Sequence, residues 1–438
     1  MNKKITICTV ACAMTAMTAV AEGYQINTLS TKQLGMASTG TALTLGAENM
    51  FFNPAGMAYM DKALDITGSF VANMPKVTAT VGAQDYKSKS QVATPMMFNA
   101  GFSIYKNLKA GVSFYTPYGS SIDWGQNWPG ATLNQNVKLK VFTVQPTVSW
   151  AITDRLSIGA GAMVSWGSVN LNKGLIPAAS FDGMLQTMGI PDNAPGVTPV
   201  SVQLEGKAKV VCGLNVGAMF RLNKQLSFGA NFRTKMSMKV EAGDARVTYA
   251  RPMAEKMLSE TLLPISESQF AAEMPAPWTL SLGVGYKPID NLTLAFDARL
   301  TGWNAYKQLD IAFDNASAFD QHIVKDYKNS WAFSVGAQYG LTGRFDLRAG
   351  VMVDTSPVND QHYNPETPGM TKIEPTVGLS FRPVKNLSID FAFMYVAGMG
   401  KKGVSCEYTD MLTQKAMQFT ADYKLHAFIP SIGLSFSY

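Results

Sequence analysis

The last thirteen residues, HAFIPSIGLSFSY, place Phe428, Ile432, Leu434, Phe436 and Tyr438 on one face of an extended chain. Ala427, Ser431, Gly433, Ser435 and Ser437 fall on the other. Strand side chains alternate between faces, so one side here is greasy and the other small and polar. The segments RLSIGAGAMVSWG, RFDLRAGVMVD and NLSIDFAFMYV repeat the pattern, with Asp346, Arg348 and Asp390 on the polar face. A face that carries charge meets water, as in a barrel lumen. A soluble sandwich strand alternates too, so the rest of the chain has to decide.

The chain opens with Lys3 and Lys4, runs apolar from Ile5 to Val20 and reaches the small-x-small site Ala19-Val20-Ala21. That pattern predicts a signal peptide over 1–21 and a mature chain from Glu22. A lipoprotein would need Cys12 as the lipidated residue, but Thr9 begins that motif poorly and the apolar run continues past the cysteine. Beyond the signal there is no apolar run of the roughly 18 residues a membrane helix needs. Yet 47% of the chain is hydrophobic. Backbone groups in lipid must pair internally, so a membrane protein without helices must be a closed barrel.

A short phrase recurs at strand starts: KNLKAG at 106, DRLSIG at 154, KQLSFG at 224, DNLTLA at 290, GRFDLR at 343 and KNLSID at 385. These read as tight polar turns. Between them lie seven longer segments, at 75–91, 116–136, 170–201, 240–275, 304–330, 355–370 and 399–423. Six short turns and seven long connections predict an all-β fold, a transmembrane antiparallel β-barrel of about fourteen strands over 63–438. An even count with short turns on one side and long loops on the other places both ends in the periplasm of a bacterial outer membrane. The terminal Tyr438 and Phe436 suit the last strand of such a barrel. Residues 22–62 stand outside the strand pattern, and their glycines, small residues and hydrophobic end predict an N-terminal plug in the lumen.

Composition narrows the partners. Without Lys3 and Lys4 the 37 basic residues become 35 against 31 acidic ones, which argues for no nucleic acid. Cys212 and Cys406 are too few for a disulfide scaffold, and a bond between them is an open option. His322, His362 and His426 are scattered over two loops and the last strand, so no metal spacing results. No G-x-S-x-G nucleophile motif occurs, and no cofactor or enzyme activity is expected.

The stretch GYQINTLSTKQLGMASTGTAL…NMFFNPAGMAYM resembles the N-terminal hatch of the FadL family of outer-membrane transporters of long-chain fatty acids and other hydrophobic compounds. The signature of that family is an Asn-Pro-Ala triplet, here Asn53, Pro54 and Ala55. TPYGSSIDWGQNWPG and MPAPWTLSLGVGYKPIDNLTLAFDARLTGW are similar to further family segments, so the resemblance covers essentially the whole mature chain. It implies capture of a hydrophobic small molecule at extracellular loops, passage to an interior pocket, and sideways exit into outer-membrane lipid through a gap beside the triplet. Phe51, Phe52 and Met57 are then expected to help form a greasy pocket floor, with Pro54 and Gly56 fixing a turn against the wall. A buried turn without ligand contact is the other reading of the same residues.

Two loops carry apolar stripes. Ser180 reads as an N-cap for a helix with Phe181, Met184, Leu185 and Met188 on one face and Gly189 as its stop. Pro252 reads as the first turn of a second helix, with Met253, Met257 and Leu258 on one face. They either pack on each other or form a landing groove, and the resemblance places capture on these loops. Extrapolating alternation from Phe220, Phe228 and Phe232 points Lys207, Lys209, Arg233, Lys235 and Lys239 inward, away from lipid. That predicts a basic lumen patch which either pairs with acids such as Asp65 and Asp297 or binds a carboxylate. The expected protein is a monomeric outer-membrane importer of hydrophobic compounds, with long-chain fatty acids as the expected substrate; a general porin or surface adhesin barrel is the alternative.

Overall fold

Fourteen antiparallel strands close on themselves in the computed structural model, which describes residues 23–89, 92–191 and 194–438. The expected signal peptide lies outside the described residues. The ring begins with β1 (Leu64–Val71), β2 (Met96–Tyr105), β3 (Leu108–Asp123), β4 (Asn136–Ala151) and β5 (Leu156–Gly174). It continues through β6 (Val200–Arg221), β7 (Leu226–Arg233), β8 (Thr279–Ile289), β9 (Leu292–Thr301) and β10 (Ser330–Gly340). It ends with β11 (Phe345–Asp354), β12 (Lys372–Val384), β13 (Leu387–Gly398) and β14 (Ala416–Ser437). β14 pairs with both β13 and β1, where Ile66 meets Phe436, so no edge is left open.

All six short turns are present, and their chemistry explains them. Lys106-Asn107, Asp290-Asn291 and Lys385-Asn386 are two-residue links, with Tyr105 opposite Leu108, Ile289 opposite Leu292 and Val384 opposite Leu387. The other three use a side-chain oxygen to fold the backbone. Thr153 Oγ1 accepts from the amides of Arg155 and Leu156, Asn223 Oδ1 from Gln225 and Leu226, and Thr342 Oγ1 from Arg344 and Phe345.

The outer wall is apolar. On β14, Phe428, Ile432, Leu434 and Phe436 are 38–54% exposed while Ser431 and Ser435 are buried, so the greasy face turns to lipid. β6 and β14 each have 22 residues. A strand crosses a bilayer in ~9–11 residues, so their excess stands outside the membrane on the long-loop side. On that side Met236–Tyr249 continues the line of β7, which has only eight residues of its own, and Gln269–Ala276 leads into β8. Two helices, α1 (Ala178–Thr187) and α2 (Pro252–Ser266), lie in the third and fourth long connections. No helix among the described residues is long and apolar enough to cross a membrane.

Residues 24–60 lie against the inner face, tied to strands around the circumference. Thr31 Oγ1 meets Ser431 Oγ on β14 at 2.6 Å, the Ala37 amide donates to Thr376 Oγ1 on β12, and the Ala47 amide donates to Asp65 Oδ1 on β1. On the far side, Gln145 of β4 and Asn215 of β6 both donate to the Met50 carbonyl at 2.6 and 3.0 Å. The small polar lumen face of the strands exists to meet this backbone, since buried carbonyls and amides must be paired.

Candidate functional site

The site is built from three layers: the Asn-Pro-Ala turn, an apolar cavity above it, and the loop helices over the mouth. Asn53 is extended, at φ −161° and ψ 104°, which suits the residue before a proline. Its Oδ1 accepts from the Ala55 amide at 3.1 Å, capping the 3₁₀ turn Pro54–Tyr59. Its Nδ2 donates to the Thr41 carbonyl at 2.7 Å and to the Ala218 carbonyl of β6 at 3.1 Å. One amide thus joins the turn, the upstream segment and the wall. The wall admits this approach because it has glycine there: a Cβ on Gly217 would stand 1.9 Å from Asn53 Oδ1, and one on Gly159 would stand 2.5 Å from the Pro54 carbonyl carbon. Ser157 Oγ completes the contact by donating to the Ala55 carbonyl at 2.9 Å. Gly56 is equally enclosed, with a Cβ there meeting Asn49.

Phe51, Phe52 and Met57 do not line the cavity above. Phe51 and Phe52 belong to a separate apolar cluster with Ile26, Leu29, Met97 and Tyr115, and Met57 packs with Ala47 and Met50. The expected pocket floor is supplied instead by Tyr24 and Tyr118. The reason is a short bridge: the Ile26 amide donates to the Pro117 carbonyl and the Gly119 amide to the Tyr24 carbonyl, laying the start of the chain across β3. The cavity above it is lined by Leu139, Val141, Leu171, Leu204, Met238 and Phe270 among others, and leaves about 50 Å³ open. Tyr24 gave no motif of its own in the sequence.

Next to this cavity the wall is discontinuous. β6 pairs with β7 from Arg221 to Asn215, and pairing of the two lines resumes only where Glu205 meets Asp244. Between them, residues 206–213 and 235–243 make no ladder with each other. The interval is occupied by side chains, with Met236 close to Gly213 and Val240 close to Gly206. Methionine fills irregular space without a fixed shape.

The basic patch is not where alternation from below placed it. A register shift opposite Ser165 and Gly167 leaves Lys209 and Val210 both exposed, and above it Leu204, Gly206 and Ala208 face the cavity. Lys207 and Lys209 therefore point out of the barrel. The break at Thr234-Lys235 does the same on the next strand: Met236, Met238 and Val240 turn inward, and Lys235 and Lys239 are exposed. Only Arg233 is inward. Its guanidinium lies 3.9 Å over the Phe51 ring and donates to the Phe51 carbonyl, so it serves the turn. Nor do Asp65 and Asp297 pair with these lysines. Asp297 Oδ2 accepts from the Gly40 amide at 2.8 Å, the Thr41 amide at 3.0 Å and Thr41 Oγ1 at 2.8 Å.

A basic group that the periodicity did not mark lies at the roof of the cavity. Lys173, two residues beyond cavity-lining Leu171, donates to Gln321 Oε1 at 2.8 Å. Lys325 is fully buried, paired with Glu366, and 6.0 Å from the ring centre of Tyr306, which packs on Tyr24. Burial pushes the Lys173 ammonium down to about 8, partly offset by the Glu366 carboxylate. Two lysines share one acid here.

The loop helices sit above. Helix α1 begins one turn earlier than expected: Pro177 is its N-cap and Ser180 lies inside it. Gly189, at φ +67°, ends it, with the Ile190 amide donating to the Leu185 carbonyl. Phe181 and Leu185 are buried and Met184 half-buried, but Met188 is 57% exposed and leaves the expected stripe. In α2 the most buried positions are Ala254, Leu262 and Ile265, so Met253, Met257 and Leu258 flank the contact face and are half-buried. The helices are joined: Arg251, the N-cap of α2, meets Asp182 of α1 at 2.5 Å and stacks 4.6 Å over Phe181. Among the described residues no group of His, Cys, Asp and Glu could hold a metal ion, and Cys212 and Cys406 are both free thiols.

The family described as outer membrane protein transport protein (OMPP1/FadL/TodX) matches residues 12–438. Outer membrane protein P1 of Haemophilus influenzae is 22% identical over 453 residues, covering 95% of each chain. The long-chain fatty acid transport protein of Escherichia coli K12 is 19% identical, covering 90% of this chain and 92% of its own. Among solved structures, a Pseudomonas aeruginosa FadL homologue superposes with a TM-score of 0.79 at 19% identity, covering 95% of this chain and 99% of that one. The toluene transporter TodX of Pseudomonas putida gives 0.68 at 15% identity, with the same coverage.

Proposed function

The chain belongs to the OMPP1/FadL/TodX family of outer-membrane transport proteins, and from that premise we propose that it imports long-chain fatty acids or closely similar amphiphilic acids. It is an outer-membrane transporter of hydrophobic compounds and not an enzyme. The relatives divide between fatty-acid and toluene transport, so the headgroup is the point at issue.

One observation favours an acid: Lys173 stands at the roof of an apolar cavity near a second lysine, Lys325, and the one carboxylate that acts on both, Glu366, is already paired with Lys325. Burying an ammonium is costly unless an anion joins it, and a neutral arene supplies none. An incoming carboxylate completes the set while its tail lies among Leu171, Leu204 and Phe270. The open space is too small for such a tail, so binding displaces side chains. Tyr24, which floors the cavity with Tyr118, is the group in the way.

Capture begins at the loop helices, and exit follows the discontinuity between β6 and the continuation of β7. Straight descent is unfavourable: beneath residues 24–60 lies a polar vestibule of about 720 Å³ rimmed by Arg155, Arg221, Lys224 and Lys287. An acyl chain leaving through Met236 and Met238 meets membrane instead of water. Residues 24–60 act as the hatch that closes the direct route.

The test compares binding of a sixteen-carbon acid, its methyl ester and toluene in the wild type and in Lys173→Gln. The acid is expected to bind most tightly and to lose about tenfold in the variant, within the ~1.5–3 kcal/mol of a charge-assisted hydrogen bond. The ester should be unaffected. Equal affinity for toluene and the acid would place the protein with the transporters of neutral compounds.

A further inference from the structure

The lysines that alternation had assigned to the lumen form a patch on the outside, and its height on the wall points to what binds it. Phe114, Phe142 and Trp166 stack side by side on β3, β4 and β5, with ring centres 5.9 and 6.2 Å apart. Trp150, at the short-turn end of β4, is exposed below them. From Phe142 to Trp150 is about 26 Å along the strand at ~3.3 Å per residue. Tilted by ~40°, that is about 20 Å of membrane thickness, close to the ~25 Å apolar band flanked by aromatic girdles. Phe142 and Trp166 therefore mark the boundary of the outer leaflet.

One outward position above that girdle is a row that crosses three strands. Lys140 of β4 is opposite Ser168 of β5, and Ser168 is opposite Lys207 of β6. Neighbours in one row share a face, and strands are ~4.8 Å apart, so the two lysines stand about 10 Å apart with a hydroxyl between them. Two other outward lysines are paired: Lys209 with Glu241 across the wall discontinuity, and Lys239 with Glu273 at 3.1 Å. Glu205 and Asp244 lie in the next row out, with Lys138 and Asn170. Lys140 and Lys207 have no ion pair among the described residues.

We propose that Lys140, Ser168 and Lys207 form a docking site for the phosphorylated glycolipid headgroup of the outer leaflet. Two ammonium groups and a hydroxyl at the lipid–water boundary match a sugar-linked phosphate, whose oxygens accept several charge-assisted hydrogen bonds at once. The acyl chains of the same lipid lie on the apolar wall below, beside Trp166 and Val210. A soluble anion would lack that second half of the contact. The docked lipid borders the discontinuity between β6 and the continuation of β7 and covers its outer end, where Lys209 and Glu241 already tie the two lines together.

The test uses the full barrel, purified in mild detergent, as wild type and as Lys140→Gln with Lys207→Gln. Native mass spectrometry with added bisphosphorylated lipid A, its dephosphorylated form or free tripolyphosphate reads the bound species. Wild type is expected to retain the phosphorylated lipid at least fivefold more than the Gln variant, with little dephosphorylated lipid on either. Lys140→Arg with Lys207→Arg should restore retention, which separates loss of charge from a folding defect. Equal retention by wild type and Gln variant would overturn the site. So would equal retention of the dephosphorylated lipid, or binding of tripolyphosphate as tight as that of the lipid.

Discussion

At the residue scale, two side chains have roles that can be measured separately. The Asn53 amide makes three hydrogen bonds that join the turn, Thr41 and β6. Leaving the Thr41 carbonyl unpaired costs about 1–3 kcal/mol before relaxation, and the second bond to the Ala218 carbonyl is lost with it. Asn53→Ala is therefore expected to keep ligand binding and a folded barrel but to impair uptake, read in the same membranes as bound and imported label. Gly217→Ala should reproduce that phenotype, because its Cβ would stand 1.9 Å from Asn53 Oδ1. Lys173 carries the pH dependence. Its pKa lies near 8, so it is charged at pH 7 and neutral at pH 9. Affinity for an acid should fall by about tenfold over that interval, following the protonated fraction, while affinity for the methyl ester stays level. An identical profile for acid and ester would remove Lys173 from recognition.

At the scale of elements, the two helices and the wall discontinuity make distinct predictions. Helices α1 and α2 are coupled by Arg251 to Asp182 and by burial of Phe181 and Leu185. Each buried apolar side chain contributes ~1.5–3 kcal/mol, so Leu185→Asp should undo the loop cap without touching the membrane strands. Capture at low ligand concentration is expected to fall severalfold, with unchanged surface expression. Met188→Asp should be silent, since that side chain is exposed. The discontinuity can be closed chemically. With Cys212→Ser removing the exposed thiol, Lys209→Cys and Glu241→Cys can be joined by a short bis-thiosulfonate reagent. Uptake should drop on cross-linking and return with reductant, whereas undiminished uptake would exclude this route of exit.

At the scale of the whole molecule, the barrel and the segment inside it are stabilised differently. The wall rests on fourteen closed ladders, and the segment on isolated polar clamps such as Asp297 to Gly40 and Thr41 and Asp65 to Ala47. Removing clamps should free the segment long before the wall fails. Asp297→Ala combined with Asp65→Ala is expected to migrate as a folded barrel in unheated gels yet to show higher ion conductance in planar bilayers. A conductance equal to that of the wild type would show that packing alone retains the segment.

What the sequence determined by itself was whatever repeats at short range. Period-two alternation, six polar turns and the missing apolar helix dictated a closed barrel with its ends at the short-turn side, because a strand's faces and a turn's geometry depend on near neighbours. The Asn53-Pro54-Ala55 turn was legible for the same reason. Tertiary structure alone decided what alternation cannot carry past an irregularity. A register shift in β6 and the break at Thr234-Lys235 inverted the faces of Lys207, Lys209 and Lys235, since one extra residue exchanges the two sides of a strand. Tyr24, Lys173 and Lys325 are far apart in the chain and come together only when the barrel closes around residues 24–60. Their chemistry belongs to that closure, and no local pattern could announce it.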